Sequence, residues 1–243
     1  MVTETRALRA LPRKHDPEHR VKLIVDEWGA WHAGAADMPP NYLWAYPGSL
    51  RDALVAGLTL DTFNRHADKI VMANVAQLVN TIHSLFLAHE DRFTVTPNYH
   101  VFAMYASHMG GTAVRTAFSA PTVGFTRPPA GAGASAPAEP AAARVPATLW
   151  GLNGSASLRE KALTLTVVNP HATEPRACAI TVRGASVRDG RATVLSSSDL
   201  RAHNSFERPS ALTPHDAPAH ARGNAFTHTF EPASVTRLSL MLE

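Results

Sequence analysis

The segment that decides the fold is Val21–Gly29, with the sequence VKLIVDEWG. A short apolar run ends there in two carboxylates, Asp26 and Glu27, followed by an aromatic residue and a glycine. The apolar run predicts a buried β-strand over 21–26. Because an isolated buried carboxylate is strongly disfavoured, acids at the end of such a strand indicate a functional position. Barrels of alternating strands and helices carry their chemistry at the C-terminal ends of strands, so Glu27 is our candidate catalytic carboxylate.

The same segment also permits plainer interpretations. Proteins often place a salt-bridged acid at the end of a strand, and position alone does not separate that role from catalysis for Glu27. Asp26 is predicted to be a structural acid that orients nearby groups. Trp28 and Trp31 flank the same loop, and aromatic rings both bind sugars and fill cores. Trp31 lies past the strand end, so it is the better candidate to face a ligand.

Composition limits the class of protein. The 243 residues are 45% hydrophobic with a formal net charge of +3, which is compatible with one large or two small folded domains. No run approaches the roughly 20 apolar residues of a membrane span, and no dense Lys/Arg cluster suggests nucleic-acid binding. The N-terminal 20 residues lack the pattern of a signal peptide. The single cysteine, Cys178, excludes an intrachain disulfide. We therefore expect a cytoplasmic protein that binds neither membranes nor nucleic acids.

Helices and strands alternate up to about residue 108. Ser49 is a plausible N-cap for a helix with an apolar stripe. The predicted elements are a helix over 50–65, a strand at 69–74, a helix over 75–87, an extended piece at 93–96 and a helix from Pro97 through Tyr105. The order strand–helix–strand–helix favours parallel α/β units.

The second part of the chain has a different character. Residues 127–148 are rich in Pro, Ala and Gly, which is typical of a linker or an exposed loop. Alternating residues between turn signals then predict strands. These strands lie at 162–168, 177–182, 191–195, 225–230 and 235–242. The sequence predicts an α+β chain, with an α/β part over 1–108 and an antiparallel β-sandwich over 109–243.

Polar residues follow the second predicted strand. Asn74 and Gln77 would open at the same edge as Glu27, where amides can hydrogen-bond sugar hydroxyls. Asn74 equally suits the N-cap of the following helix. His66 and Asp68 are a weak metal signal, since a zinc site needs three or four ligands, and a structural role is expected for both.

Several blocks of sequence carry a resemblance to a known family. They are Val25–Trp31 (VDEWGAW), Leu50–Leu60 (LRDALVAGLTL), Phe63–Asp68 (FNRHAD), Met72–Asn80 (MANVAQLVN), Thr96–Phe102 (TPNYHVF) and Ala202–Pro209 (AHNSFERP). In this order, over roughly residues 15–243, they closely resemble the α-L-arabinofuranosidases of glycoside hydrolase family 51.

The resemblance implies a retaining glycosidase that releases terminal α-L-arabinofuranosyl residues from arabinan, arabinoxylan or arabino-oligosaccharides. Glu27 matches the nucleophile, Trp31 matches an aromatic residue near the sugar, and Gln77 matches an amide that contacts the active site. The family combines an eight-unit barrel with a C-terminal β-sandwich and often forms hexamers. Its chemistry uses no metal and no cofactor.

One departure from the family is large. Retaining hydrolysis needs a second carboxylate about 5–5.5 Å from the nucleophile, and the family's acid/base glutamate follows an asparagine well before the nucleophile. Only 26 residues precede Glu27, and they contain no Asn-Glu pair. The resemblance therefore implies a partial (β/α)8 barrel, the last two strand–helix units, within 1–108.

Two parallel strands cannot close a barrel, and their edges would be exposed. We expect the chain to be the C-terminal part of a larger enzyme, inactive alone, with an α/β part that does not fold stably by itself. The alternative function is a non-catalytic remnant, or an interaction or carbohydrate-binding module.

Overall fold

The fold is given by a computed structural model that describes residues 16–18, 20–30, 48–127 and 145–243. Among these residues, β-strands are far more abundant than helices. In chain order the elements are β1 Leu23–Trp28, α1 Leu50–Arg65, β2 Ile70–Val75, β3 Phe86–His89, β4 Arg92–Val95, α2 Pro97–Tyr105, a 3-10 turn Ala106–His108, β5 Thr112–Val114, β6 Val123–Arg127, β7 Val145–Leu149, β8 Asn153–Arg159, β9 Ala162–Asn169, β10 Arg176–Thr181, β11 Val187–Ser196, β12 His215–Pro218, β13 Ala225–Phe230 and β14 Ser234–Leu242.

Strands β1 and β2 pair in parallel, which confirms the prediction for these two elements. Leu23 and Val25 pack against the helices, whereas other apolar residues of this strand pair are exposed to solvent. Ile24 is 56% exposed, Val71 59% and Met72 51%. Within the described ranges no third strand joins this pair. Its membership of a barrel stays a prediction.

The helix predicted over 75–87 is wrong. Turns follow β2, and β3 and β4 form an antiparallel hairpin. The side chain of Asn80 bonds both backbone groups of Ala88, accepting from its N–H at 2.8 Å and donating to its carbonyl at 2.6 Å. Asn80 and His83 also have positive φ angles of 53° and 56°, outside the helical region. Local bonds of this kind compete with the helix, and the apolar periodicity of the segment does not reveal them.

The second half of the chain contains a six-stranded antiparallel sheet in the order β12-β11-β14-β9-β8-β5. Both of its faces are buried in the middle of β9, where Leu163–Asn169 is continuously buried. Leu165 and Val167 belong to a hydrophobic cluster that also includes Phe230 of the separate pair β10-β13. Val168 belongs to the other cluster, which contains α1 and α2. The sheet therefore has the strand pair on one face and the helices on the other.

The five strands predicted between residues 162 and 242 are confirmed within a few residues at each end. Strands β6 and β7 pair with each other on either side of the Pro/Ala/Gly-rich stretch, most of which, residues 128–144, lies outside the described residues. The boundary at residue 108 stays a prediction. None of the described helices is long and apolar enough to cross a membrane.

Helix α1 begins and packs as its sequence indicates. The Asp52 carboxylate accepts hydrogen bonds from the Ser49 backbone N–H and hydroxyl, both at 2.8 Å, which satisfies donors at the helix start. Gly57 lies where the helix meets the sheet. A Cβ atom there would lie 2.8 Å from Val168 Cγ2 and 3.3 Å from Val235 Cγ2. A glycine is therefore required for this close approach.

We expect Gly57→Ala to lower the free energy of unfolding by about 1–3 kcal/mol, because the added methyl overpacks the helix–sheet contact. The loss should appear despite the roughly 1 kcal/mol advantage of alanine in a helix. Chemical denaturation of the purified chain measures it. Arg51→Ala, at an exposed position of the same helix, is the control and should change little. A Gly57→Ala protein as stable as the wild type would contradict the close packing.

Candidate active site

Glu27 lies at an irregularity in the pairing of β1 with β2. Val25 pairs with Ala73 and Trp28 pairs with Val75, so Asp26 and Glu27 together oppose the single residue Asn74. Such a bulge redirects side chains and is common beside active sites. Both carboxylates are exposed. The bulge places Glu27 at the C-terminal end of the parallel pair without burying it.

The amides predicted for the site lie at the same end. Asn74 is an exposed residue inside β2 and is not a helix cap, since no helix follows; that alternative is wrong. Gln77 lies two residues beyond β2, is exposed, and donates its backbone N–H to the Ile82 carbonyl at 3.2 Å. Contact of either amide with a sugar stays a prediction. Trp31 lies outside the described residues.

Trp28 anchors the strand end that carries Glu27. Its ring is 4% exposed and stacks on Phe102 with centroids 5.9 Å apart. The rings of Phe63 and His83 meet it edge-on at 5.7 and 5.4 Å. Trp28 therefore fills the core and is not exposed to bind a sugar. The packing holds the residue next to Glu27 in place.

A buried pair of an acid and an imidazole, Asp52 and His83, lies beside Trp28. His83 and Asp52 are both fully buried, with His83 Nδ1 3.9 Å from Asp52 Oδ1. Asp52 also caps α1, and His83 packs on Trp28. Sequence reasoning missed this pair. Asp52 had a signal, because it stands three residues after Ser49 as in a capping box, whereas His83 had none.

A second buried acid joins α1 to the sheet. Asp61 Oδ1 accepts hydrogen bonds from Ser155 at 2.7 Å and from Thr166 at 2.6 Å. Burial raises the pKa of Asp61 to about 7, although hydrogen bonds from Thr166 and Ser155 and the charge of Arg65 act in the opposite direction. The signal for Asp61 was an acid standing on the apolar stripe of an amphipathic helix.

His108 completes this polar cluster. One ring nitrogen lies 2.8 Å from Ser157 Oγ and the other lies 3.1 Å from Thr166 Oγ1. Burial lowers the pKa of His108 to about 4, so the ring is neutral at pH 7. The hydrogen bonds of Asp61 join α1 to β8 and β9 of the six-stranded sheet. We therefore assign this polar cluster a structural role.

Comparison with known proteins identifies the family of this chain. The sequence pattern of the alpha-L-arabinofuranosidase C-terminal domain matches residues 26–234. The chain belongs to this family. It corresponds to the C-terminal portion of a family 51 arabinofuranosidase, as the resemblance implies.

Relatives of this arabinofuranosidase domain are longer proteins. The intracellular exo-alpha-L-arabinofuranosidase of Bacteroides ovatus is 28% identical over 83% of this chain and 36% of its own length. The intracellular exo-alpha-(1->5)-L-arabinofuranosidase of Bifidobacterium longum is 27% identical over 80% of this chain and 36% of its own. The chain thus spans about a third of the length of the curated relatives it matches.

A solved structure agrees in fold. The family 51 arabinofuranosidase of Xanthomonas axonopodis pv. citri superimposes with a TM-score of 0.81 at 28% identity, covering 96% of this chain and 44% of that one. The likeness extends over the parallel strand pair and the sheet together. The chain therefore has the fold of the corresponding part of the longer Xanthomonas enzyme.

His66 and Asp68, the weak metal candidates, lie between α1 and β2. In the part of the domain that the structure describes, no three His, Cys, Asp or Glu side chains are placed to hold a metal ion. Both residues line a pocket that also contains Trp150.

Proposed function

We propose that this chain contributes the nucleophile of a retaining α-L-arabinofuranosidase acting on arabinan, arabinoxylan or arabino-oligosaccharides. The observation that carries the proposal is an exposed Glu27 in a bulge at the C-terminal end of a parallel strand pair. It is supported by the family of the chain and by the activity named for its relatives.

In the proposed reaction a carboxylate oxygen of Glu27 attacks the anomeric carbon of an arabinofuranoside. The bond to the leaving-group oxygen breaks, that oxygen takes a proton from a second carboxylic acid, and an arabinosyl ester forms on Glu27. Water, deprotonated by the same carboxylate, then hydrolyses the ester. Gln77 is proposed to hydrogen-bond sugar hydroxyls, and Trp31 to contact the ring.

The second carboxylate must lie about 5–5.5 Å from Glu27. Asp52 and Asp61 are fully buried and engaged in hydrogen bonds, so neither is suited to protonate a leaving group. We propose that the acid comes from outside these 243 residues and that the chain alone does not turn over ordinary substrates.

In this proposal residues 1–108 form the end of a barrel and residues 109–243 the C-terminal β-sandwich. The exposed apolar side chains of Ile24, Val71 and Met72 would then pack against further strand–helix units. The greater length of the relatives supports this arrangement. Their names also support an intracellular location for this protein. A hexameric assembly stays a prediction.

A substrate with a very good leaving group tests the nucleophile without the acid. Dinitrophenyl α-L-arabinofuranoside releases a phenolate that needs no protonation, so the first step depends on Glu27 alone. The second step lacks its general base, so the arabinosyl ester should accumulate. We expect intact-mass measurement of the 243-residue chain to show one arabinosyl group per chain, and peptide mapping to place it on Glu27.

Azide provides a further check, because it attacks the ester without a general base and should regenerate the free chain as arabinosyl azide. A folded chain that forms no adduct, or one that carries the adduct on another residue, would favour the non-catalytic alternative.

A further inference from the structure

A pocket of about 620 Å³ lies at the end of β2 opposite to Glu27. Its lining comes from the turn between α1 and β2, the segment after β5 and the start of β8, including Asp68, Arg115, Thr116, Trp150 and Asn153. Asp68 precedes β2, whereas Glu27 lies beside the last residues of β2. Six residues of extended strand, roughly 20 Å, therefore separate the two places. The pocket is distinct from the candidate active site.

Trp150 provides an aromatic surface in this pocket. Its side chain is 43% exposed, and the Arg65 guanidinium lies over its ring at 5.8 Å from the centroid. The next residue, Gly151, fixes the position of the backbone. A Cβ atom at Gly151 would lie 1.7 Å from the Pro121 carbonyl oxygen, so only glycine permits this crossing of the two segments. The close approach of Gly151 to Pro121 thus fixes the backbone directly after Trp150.

Asn153 supplies an unused hydrogen-bond donor. The residue is 4% exposed, and its Oδ1 accepts from the Arg65 guanidinium at 2.6 Å. Its Nδ2 is buried and has no partner among the described residues, and the same holds for the Thr116 hydroxyl. A buried donor without a partner is costly, so a ligand oxygen at this position would be stabilising.

The charges of the pocket select the type of ligand. The guanidinium of Arg65 is already bonded to Asn153 Oδ1 and to the Gly154 carbonyl. The lining carries two basic side chains, Arg65 and Arg115, and one acidic side chain, Asp68. A strongly charged ligand gains little from such a mixture. A neutral ligand with hydroxyl groups and an apolar C–H face suits an aromatic ring beside amide and hydroxyl donors.

We propose that this pocket is a second saccharide-binding site, in which a pentose unit stacks on Trp150 and a sugar hydroxyl accepts from Asn153 Nδ2. The choice of a pentose rests on the proposed function. The site would hold an arabinose-containing chain away from the reaction centre and increase the residence of the polymer on the protein.

Binding of a linear arabino-oligosaccharide to the 243-residue chain tests the proposal. The indole N–H resonance of Trp150, assigned by its loss in Trp150→Phe, should shift on titration. Calorimetry should show Trp150→Ala weakening the association by about tenfold or more. Asn153→Asp keeps the acceptor for Arg65 but removes the free N–H donor, and it should weaken binding as well.

Phe93→Ala is the matched control, because Phe93 is an aromatic residue, 62% exposed and outside this pocket. It should bind the oligosaccharide as the wild type does. An unchanged Trp150 resonance, or wild-type affinity in a folded Trp150→Ala chain, would overturn the proposal. The readout does not depend on chemistry at Glu27, so a chain that binds sugar at Trp150 but forms no ester on Glu27 would refute only the catalytic function.

Discussion

Glu27→Gln is expected to abolish release of dinitrophenolate from dinitrophenyl α-L-arabinofuranoside, with a loss on the order of 10⁴-fold or more, as is usual for a removed nucleophile. Glutamine has nearly the same shape as glutamate, but its amide oxygen is a poor nucleophile and cannot form the ester. Glu27 is exposed at the bulge, so we expect the variant to fold as the wild type does, and thermal unfolding of the variant checks this. The measurement is a burst of absorbance from the released phenolate, normalised to chain concentration.

Asp26→Asn is the control for Glu27, because Asp26 is the neighbouring acid, is equally exposed and lies in the same bulge. It should retain most of the burst. Equal losses in the two variants would point to a general effect of charge at the strand end. A full burst in Glu27→Gln would remove Glu27 from the mechanism.

Asp61→Asn is expected to change the pH dependence of stability. Burial raises the pKa of Asp61 from 3.8 to about 7 in the folded chain. The folded state therefore keeps a proton that the unfolded state releases between about pH 4 and pH 7. The stability associated with this group is fully present below about pH 4 and is lost as the pH rises through 7. The loss amounts to about 4 kcal/mol at most, given 1.36 kcal/mol per pKa unit.

Asparagine does not titrate, and its oxygen can accept from Ser155 and Thr166 as Asp61 does. The variant should be more stable than the wild type at pH 8, and the difference should disappear toward pH 4. Denaturation in urea at several pH values measures this difference. Asp91→Asn, at an exposed turn position between β3 and β4, should leave the curve unchanged. Parallel curves for wild type and Asp61→Asn would show that Asp61 ionises in the folded chain without penalty.

His108 affects the acid side of the same curve. Burial lowers the pKa of His108 from 6.5 to about 4, so the unfolded chain takes up a proton before the folded chain does. Its contribution is present above pH 6.5 and is lost as the pH falls toward 4. The comparison of Asp61→Asn with wild type cancels this contribution, because both proteins contain His108.

Local sequence patterns were sufficient to predict the helices and strands that bury one apolar face. Helix α1 was predicted with its start at Ser49 and its end at residue 65, and α2 was predicted from Pro97 to Tyr105. Three strands of the six-stranded sheet, β9, β11 and β14, were predicted from alternation, whereas β5, β8 and β12 were not. The helix predicted after β2 was wrong because the apolar residues there have helical spacing, whereas the Asn80 side chain bonds to the backbone of Ala88 in β3. A hydrogen bond between a side chain and the backbone eight residues away leaves no periodic pattern of apolar residues in the sequence.

Some features of the candidate site could likewise be predicted from the sequence, and others could not. Glu27 and Gln77 could be proposed from their positions after apolar runs and from the family resemblance. The bulge that exposes Glu27 together with Asp26 could not, because it depends on the register between β1 and β2.

Tertiary contacts also explain the buried polar groups. Lys69 is 1% exposed and pairs with Asp16 at 3.3 Å, and nothing in the local sequence marks either residue as buried. The free donor of Asn153 and the position of Trp150 beside Arg65 likewise depend on where α1 lies against β8. Periodicity and capping act between residues within a few positions of each other, so they can be deduced from the sequence. The burial of a charge or an amide is determined by segments that meet only after folding, and it required the structure.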